Sequence, residues 1–208
     1  MQKYKWLIQL TSFSILLIVC RVAYTSGLMF SFLLWNIFLA AVPLYFSIKA
    51  LNAEKKTGIV VYSVLWLLFF PNSMYIITDL FHLHKRPGIP LWYDLLLIFS
   101  AATNGMILGF LSVGNMEKVL VRFNSTKVRN LVIFCIMVLC GYGIYLGRFE
   151  RWNSWDIVAQ PHNLAYSMYS HIVHPFRNRD TWLISFGFGL WMYLLYGYTR
   201  KLKIAHDN

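Results

Sequence analysis

Residues 57–84 read TGIVVYSVLWLLFFPNSMYIITDLFHLH, and this stretch decides the fold class. It carries no charged side chain from residue 57 to residue 78, and a helix needs roughly 20 such residues to cross the hydrocarbon layer of a membrane. Asp79, His82 and His84 then follow at its end. The stretch predicts a transmembrane helix that ends in polar, titratable groups.

The second half of this stretch gathers polar side chains on one face when it is read as an α-helix. Those side chains are Asn72, Tyr75, Thr78, Asp79 and His82. Ionisable groups at membrane depth are costly, and they usually either serve a function or pair with one another. We therefore take this face as the leading candidate site.

The composition excludes a soluble globular protein. Of the 208 residues, 58% are apolar and 13% are charged, and the mean hydropathy is +0.54. The net charge of +11 comes from Lys and Arg clusters between apolar runs, which is typical of membrane topology and makes nucleic-acid binding a poor interpretation. Cys20, Cys135 and Cys140 lie inside apolar runs without metal-ligand spacing, so they are interpreted as small apolar residues.

Uncharged windows predict an all-α, polytopic bundle of six transmembrane helices in one integral membrane domain, residues 1–208. Basic segments at 49–56, 118–129 and 200–203 fall on the same side as Lys3 and Lys5, and the positive-inside rule makes that side cytoplasmic. Both termini are then cytoplasmic, and Arg21 is expected to snorkel outward. The six windows are 6–20, 22–48, 57–78, 95–116, 130–147 and 181–199.

The last outer loop predicts a short amphipathic helix over residues 163–174. His171 and His174 fall on its polar arc, and apolar residues occupy the rest of its circumference. Such a helix is expected to lie in the outer membrane interface, with its polar face turned either to water or to the Asp79 face.

Asp79 and His82 lie three residues apart, so on a helix they can act as an acid–base pair or share a divalent metal. Two ligands are too few for a zinc site. The missing ligands would come from other residues predicted on the outer side, namely Asp94, Glu150, Asp156, His171 or His174. The alternative is structural, with Asp79 accepting hydrogen bonds from Asn72, Tyr75 or Arg148.

Arg148 and Arg151 also lie three residues apart, at the predicted end of the fifth helix. Guanidinium groups match phosphate oxygens with paired donors, so the two arginines are candidates for an anionic group. Ion pairs with Asp79, Asp94 or Asp156 are an equally good account of them. Asn153 or Ser154 is a candidate cap for the turn that follows.

Three stretches resemble a known family when they are taken together. They are Phe70-Pro71-Asn72 with Tyr75, Thr78-Asp79-Leu80 and His82-Leu83; Trp92-Tyr93-Asp94; and Gly143-Ile144-Tyr145-Leu146-Gly147-Arg148 with Arg151 and Asn153-Ser154-Trp155-Asp156. The chain resembles the domain-of-unknown-function family (number thirteen sixty-one) of predicted bacterial integral membrane proteins, over about residues 58–160. The resemblance implies a bacterial plasma membrane and no particular activity.

The leading hypothesis is a membrane-embedded hydrolase or transferase that acts on a lipid-linked or cell-envelope substrate. No phosphate-binding Gly loop and no nucleophile elbow names a reaction, so whether the protein is an enzyme stays open. The alternatives are a small transporter, with Asn104 and Pro71 in its pathway, or an accessory subunit. The assigned roles are Asp79 and His82 as acid–base pair or metal ligands, Asp94 and Asp156 as orienting carboxylates, and Asn72, Tyr75, Arg148, Arg151, His171 and His174 as substrate-binding residues.

Overall fold

The computed structural model describes residues 5–206 except 26, 87 and 124, with side chains up to residue 202. This part of the chain is helical and contains no strand, which confirms the predicted all-α class. Beside its α-helices it has a 3₁₀ helix, Ile76–His82. The α-helices are α1 (Lys5–Thr25), α2 (Phe32–Asn52), α3 (Lys56–Tyr75), α4 (Leu91–Val121), α5 (Thr126–Phe149), α6 (Asp156–Ala159), α7 (Pro161–Val173) and α8 (Arg179–His206).

Five of these segments are long and apolar enough to cross a membrane, and they indicate a multi-pass membrane protein. They are α1, α2, α3 with the 3₁₀ helix, α4 and α5. Helix α8 occupies the sixth predicted window, but it is not one of the five, because Gly, Ser, Trp and Tyr make up much of residues 181–199.

The described residues form two compact units, Met1–Asn115 and Met116–Asn208, and α4 runs from the first into the second. In the first unit, α2 packs along α3, and the buried core includes Ile18, Leu33, Ile76 and Leu97. In the second unit, α5 packs along α8. The prediction of a single domain stays a prediction.

Small residues let helices approach closely within each unit. A methyl group added at Gly105 of α4 would overlap the backbone oxygen of Ser73 in α3, so this position serves close helix packing. In the second unit the corresponding close approach is at Gly141 of α5, against the backbone of Ser185 in α8. Helix packing at both positions therefore requires the absence of a side chain.

The stretch from Asn72 to His82 is not one continuous α-helix. Helix α3 continues through Pro71 and ends at Tyr75, and the next seven residues tighten into the 3₁₀ helix. In a 3₁₀ helix, residues three apart are eclipsed, so Asp79 and His82 lie above one another on the same edge. The α-helical face predicted from Asn72 to His82 is therefore wrong in its second half. Asp79 and His82 nevertheless lie close together, as predicted.

Candidate functional site

The candidate pair is a buried carboxylate beside a half-exposed imidazole. Asp79 is 1% exposed, whereas the His82 side chain is 45% exposed. His82 Nδ1 lies 3.7 Å from Asp79 Oδ1. At this distance the two groups interact electrostatically without a direct hydrogen bond, and the ring can reach solvent while the carboxylate cannot.

Asp79 has a hydrogen-bond donor that the sequence did not suggest. Asn36 Nδ2 of α2 donates to Asp79 Oδ2 at 2.9 Å, so the carboxylate connects α2 to the 3₁₀ helix. Ring contact with Phe32, whose centroid lies 5.4 Å from that of His82, further fixes the imidazole. Asp79 thus has a structural role through its contact with Asn36, while the His82 side chain stays half-exposed.

A second polar group in the same unit, the Asp94 cluster, consists of Arg21, Arg86 and Asp94. Arg21 Nε lies 2.7 Å from Asp94 Oδ1, and Arg86 Nη1 lies 3.2 Å from Asp94 Oδ2. Arg86 Nη2 also donates to the backbone oxygen of His82 at 3.1 Å. Arg86 therefore connects the segment that carries His82 to the first turn of α4.

The expectation that Arg21 snorkels outward is wrong. Arg21 is 3% exposed and Asp94 is 1% exposed, so the pair is buried. Both guanidinium groups also lie against Phe30, with Arg21 at 5.8 Å and Arg86 at 5.0 Å from the ring centroid. With its two oxygens held by arginines, Asp94 acts as a structural anchor, and a direct role for it in chemistry stays a prediction.

The second unit contains a continuous chain of polar contacts, the His171 cluster of Tyr142, Glu150, Ser167 and His171. His171 Nε2 lies 2.8 Å from Glu150 Oε1, and His171 Nδ1 lies 2.9 Å from Tyr142 Oη. Ser167 Oγ donates to Glu150 Oε2, as does Trp152 Nε1. The polar face of α7 therefore binds Glu150 of its own unit, and both ring nitrogens of His171 are engaged.

The other predicted site residues of this unit lie at helix ends or in the turn after α5; they are Arg148, Arg151, Asp156 and His174. Helix α5 ends at Phe149 and Arg151 adopts φ 63°, so the predicted helical continuation from Arg148 to Arg151 is wrong. Asp156 Oδ2 accepts hydrogen bonds from the Asn153 backbone N–H at 2.6 Å and from its side chain, so Asp156 itself supports the turn. His174 is exposed at the end of α7. The substrate-binding roles of Arg148, Arg151, His171 and His174 stay predictions.

Asn72 and Tyr75 remain near the candidate pair in sequence but have local contacts too. Asn72 Nδ2 donates to the Phe69 backbone oxygen at 3.0 Å, and the Tyr75 backbone oxygen accepts from Thr78 Oγ1 at 2.6 Å. A substrate-binding role for either side chain stays a prediction.

The described residues supply no third ligand for the metal hypothesis. Among the residues that the structure describes, no group of three or more His, Cys, Asp or Glu side chains is arranged to hold a metal ion. A metal at Asp79 and His82 would need further ligands from water or substrate, and it stays a prediction.

Comparison with known proteins identifies the family. Residues 35–195 match the family described as "Protein of unknown function (DUF1361)". The chain belongs to this family. The match confirms the resemblance seen in the sequence and extends it to the segment of α7 and to most of α8. No curated protein and no solved structure is similar enough to the chain to show a relationship.

The family region begins at residue 35 and so includes Asn36, Asp79, His82, Arg86 and Asp94, but not Arg21. Sequence reasoning missed Asn36 and Arg86 as partners of the candidate residues. The signal for Arg86 was its position close before Asp94 in a short loop, where opposite charges at a membrane boundary tend to pair. Asn36 carried no such signal, because a single amide within an apolar helix has many possible partners.

Asn104, the residue that would mark a transport pathway, instead ties α4 to α1. Its Nδ2 donates to Ser14 Oγ at 2.7 Å and to the Leu10 backbone oxygen at 3.1 Å. Its Oδ1 accepts from Thr11 Oγ1 at 3.3 Å. An amide with its partners satisfied between two helices is a packing contact, so the structure gives Asn104 an interhelical role.

Proposed function

We propose that the chain crosses a bacterial plasma membrane six times, with α8 as the sixth span and both termini in the cytoplasm. Helix α8 has 28 residues, and its length of about 42 Å exceeds the hydrocarbon thickness. The basic segments 49–56, 118–129 and 200–203 support this orientation. Exposed Tyr166, Tyr169 and Ile172 on α7 support its placement in the outer interface.

Within this topology, the Asp79–His82 pair is an acid–base site at the extracytoplasmic face. The observation that carries the proposal is the contrast in burial, since a half-exposed imidazole can exchange a proton with a substrate while a buried carboxylate orients it. The carboxylate also stabilises the imidazolium that forms when the ring accepts a proton. Catalytic hydrogen bonds are often long without substrate, so 3.7 Å suits such a pair.

The substrate class follows from where such a site would lie. A general base at the outer end of apolar helices meets groups held at the level of lipid headgroups, so the proposed reaction is hydrolysis or group transfer on a lipid-linked or cell-envelope substrate. His82 would take the proton from the attacking hydroxyl or water and return it to the leaving group. Asn36 and Arg86 hold the two ends of the segment that positions it.

We expect the His82→Gln variant to lose activity by about 100-fold or more, because general acid–base groups contribute 10²–10⁴-fold. The purified protein is incubated with the total lipid extract of bacterial membranes, and its products are measured by mass spectrometry. The His84→Gln variant is the matched control, since His84 is exposed and lies two residues after His82. It should retain the activity of the unsubstituted protein.

Two results would count against this proposal. One is that mass spectrometry finds no covalent change in the lipid extract after incubation with the unsubstituted protein. That result would favour transport or an accessory role. The other is equal activity in the His82→Gln and His84→Gln variants. Metal analysis of the same preparations tests the metal hypothesis, which requires stoichiometric metal that is lost in an Asp79→Ala/His82→Ala variant that still folds.

A further inference from the structure

The second unit contains a cluster of charges away from the candidate site, the Glu117 cluster of Glu117, Arg129, Tyr196 and Arg200. Glu117 Oε1 lies 3.1 Å from Arg129 Nε and 3.0 Å from Arg200 Nη1. Tyr196 Oη donates to Glu117 Oε2 at 2.7 Å. One carboxylate is thus shared by two guanidinium groups and a phenol, contributed by α4, α5 and α8.

The two arginines have more donors than this carboxylate can satisfy. The Arg200 contacts to Glu117 and to Asn130 Oδ1 both use Nη1. Arg129 Nε is buried and lacks a well-aligned hydrogen bond despite its ion pair. Within the described part of the chain, the outer guanidinium nitrogens of Arg129 and the Nε and Nη2 of Arg200 have no hydrogen-bond partner. Only Arg129 Nε among these donors is buried, so the others are accessible to an acceptor outside the described residues.

The charge around the cluster is also unbalanced. Two guanidinium groups and one carboxylate leave one positive charge, and the exposed Lys118 and Lys127 lie next to the cluster in sequence. The side chain of Arg129 is 13% exposed and that of Arg200 is 31% exposed, so one arginine is anchored and the other reaches the surface. An anion that binds here would neutralise the remaining positive charge and accept hydrogen bonds from the unused guanidinium donors.

We propose that the Glu117 cluster binds a phosphate group, and that its source is the headgroup of an anionic phospholipid. Guanidinium groups pair with phosphate oxygens through parallel N–H donors, which is the geometry that the exposed edge of Arg200 offers. The cluster lies at the ends of apolar helices, where lipid phosphates lie in a membrane. This proposal concerns different residues from the acid–base pair and does not depend on its function.

The test measures thermal unfolding of the full chain in nanodiscs of phosphatidylcholine with and without phosphatidylglycerol. Phosphatidylglycerol should raise the melting temperature and should bind the Arg200→Gln variant about tenfold more weakly, which is the effect of losing one charged hydrogen bond. The Lys201→Gln variant removes the same charge from an exposed neighbour and should bind phosphatidylglycerol nearly as well as the unsubstituted protein.

A second variant keeps the test decisive if Arg200→Gln does not fold. Glu117→Gln removes the carboxylate that competes for the arginines, so it should increase the shift caused by phosphatidylglycerol. Inorganic phosphate added to phosphatidylcholine nanodiscs separates the two sources, and a shift with phosphate equal to that with lipid assigns the site to the free ion. Equal melting in both lipids without a response to phosphate, or equal losses in Arg200→Gln and Lys201→Gln, would overturn the proposal.

Discussion

The Asp94→Ala variant is expected to lose about 3–5 kcal/mol of unfolding free energy, the cost of breaking a buried ion pair by removing one partner. Asp94 is 1% exposed; Arg21 contacts both of its oxygens, and Arg86 contacts Oδ2. Without the carboxylate, the Arg21 guanidinium is left buried with its charge uncompensated. The loss is measured as a lower melting temperature of the purified protein in detergent.

Asp180→Ala is the matched control for this prediction. Asp180 also pairs with an arginine, Arg179, but at 3.8 Å and with both side chains mostly exposed. Exposed pairs contribute little because water and ions screen them, so this variant should melt close to the unsubstituted protein. If both aspartate variants melted at the same temperature, the Asp94 cluster would not be the anchor that its burial indicates.

The second large effect is expected at Gly141, where α5 meets α8. A methyl group at this position would overlap the backbone oxygen of Ser185 and approach its Cα, and a backbone cannot rotate away as a side chain can. The two helices must separate, so Gly141→Ala should cost about 3 kcal/mol, at the upper end for overpacked cores. Thermal unfolding of the purified variant measures the loss.

Gly187→Ala makes the same chemical change in α8 at a position with no atom within 4 Å of the added carbon. Alanine is a better helix former than glycine, so this control should gain up to about 1 kcal/mol. The two variants should therefore shift the melting temperature in opposite directions. A loss at Gly187 as large as that at Gly141 would mean that helix packing is not what the glycines serve.

The helices were predictable because most apolar windows are about as long as the roughly 20 residues that cross the hydrocarbon layer. The window at 57–78 corresponds to α3 and the start of the 3₁₀ helix, and the amphipathic segment 163–174 corresponds to α7 at Pro161–Val173. Length and hydropathy are local properties, so one sequence suffices to find them. Helix α8 is not among the five candidate spans because aromatic and small residues lower its hydropathy.

The partners of the charged residues were not predictable in the same way. Arg21 and Asp94 are 73 residues apart in the chain, and only the packing of α1 on α4 brings them together. Local geometry was missed as well, since the 3₁₀ helix at Ile76–His82 and the positive φ of Arg151 change which side chains share a face. The Asp79–His82 pair was found because a separation of three residues brings side chains together in both types of helix.

The central claim, that the acid–base pair faces the outside of the cell, is tested most directly by cysteine labelling. Cysteines at 84 and 127, in a variant without Cys20, Cys135 and Cys140, place one label before α4 and one after it. A membrane-impermeant maleimide added to intact cells should label position 84 and should reach position 127 only after the membrane is opened. Labelling of position 127 in intact cells with protection of position 84 would place the candidate pair in the cytoplasm and contradict the account.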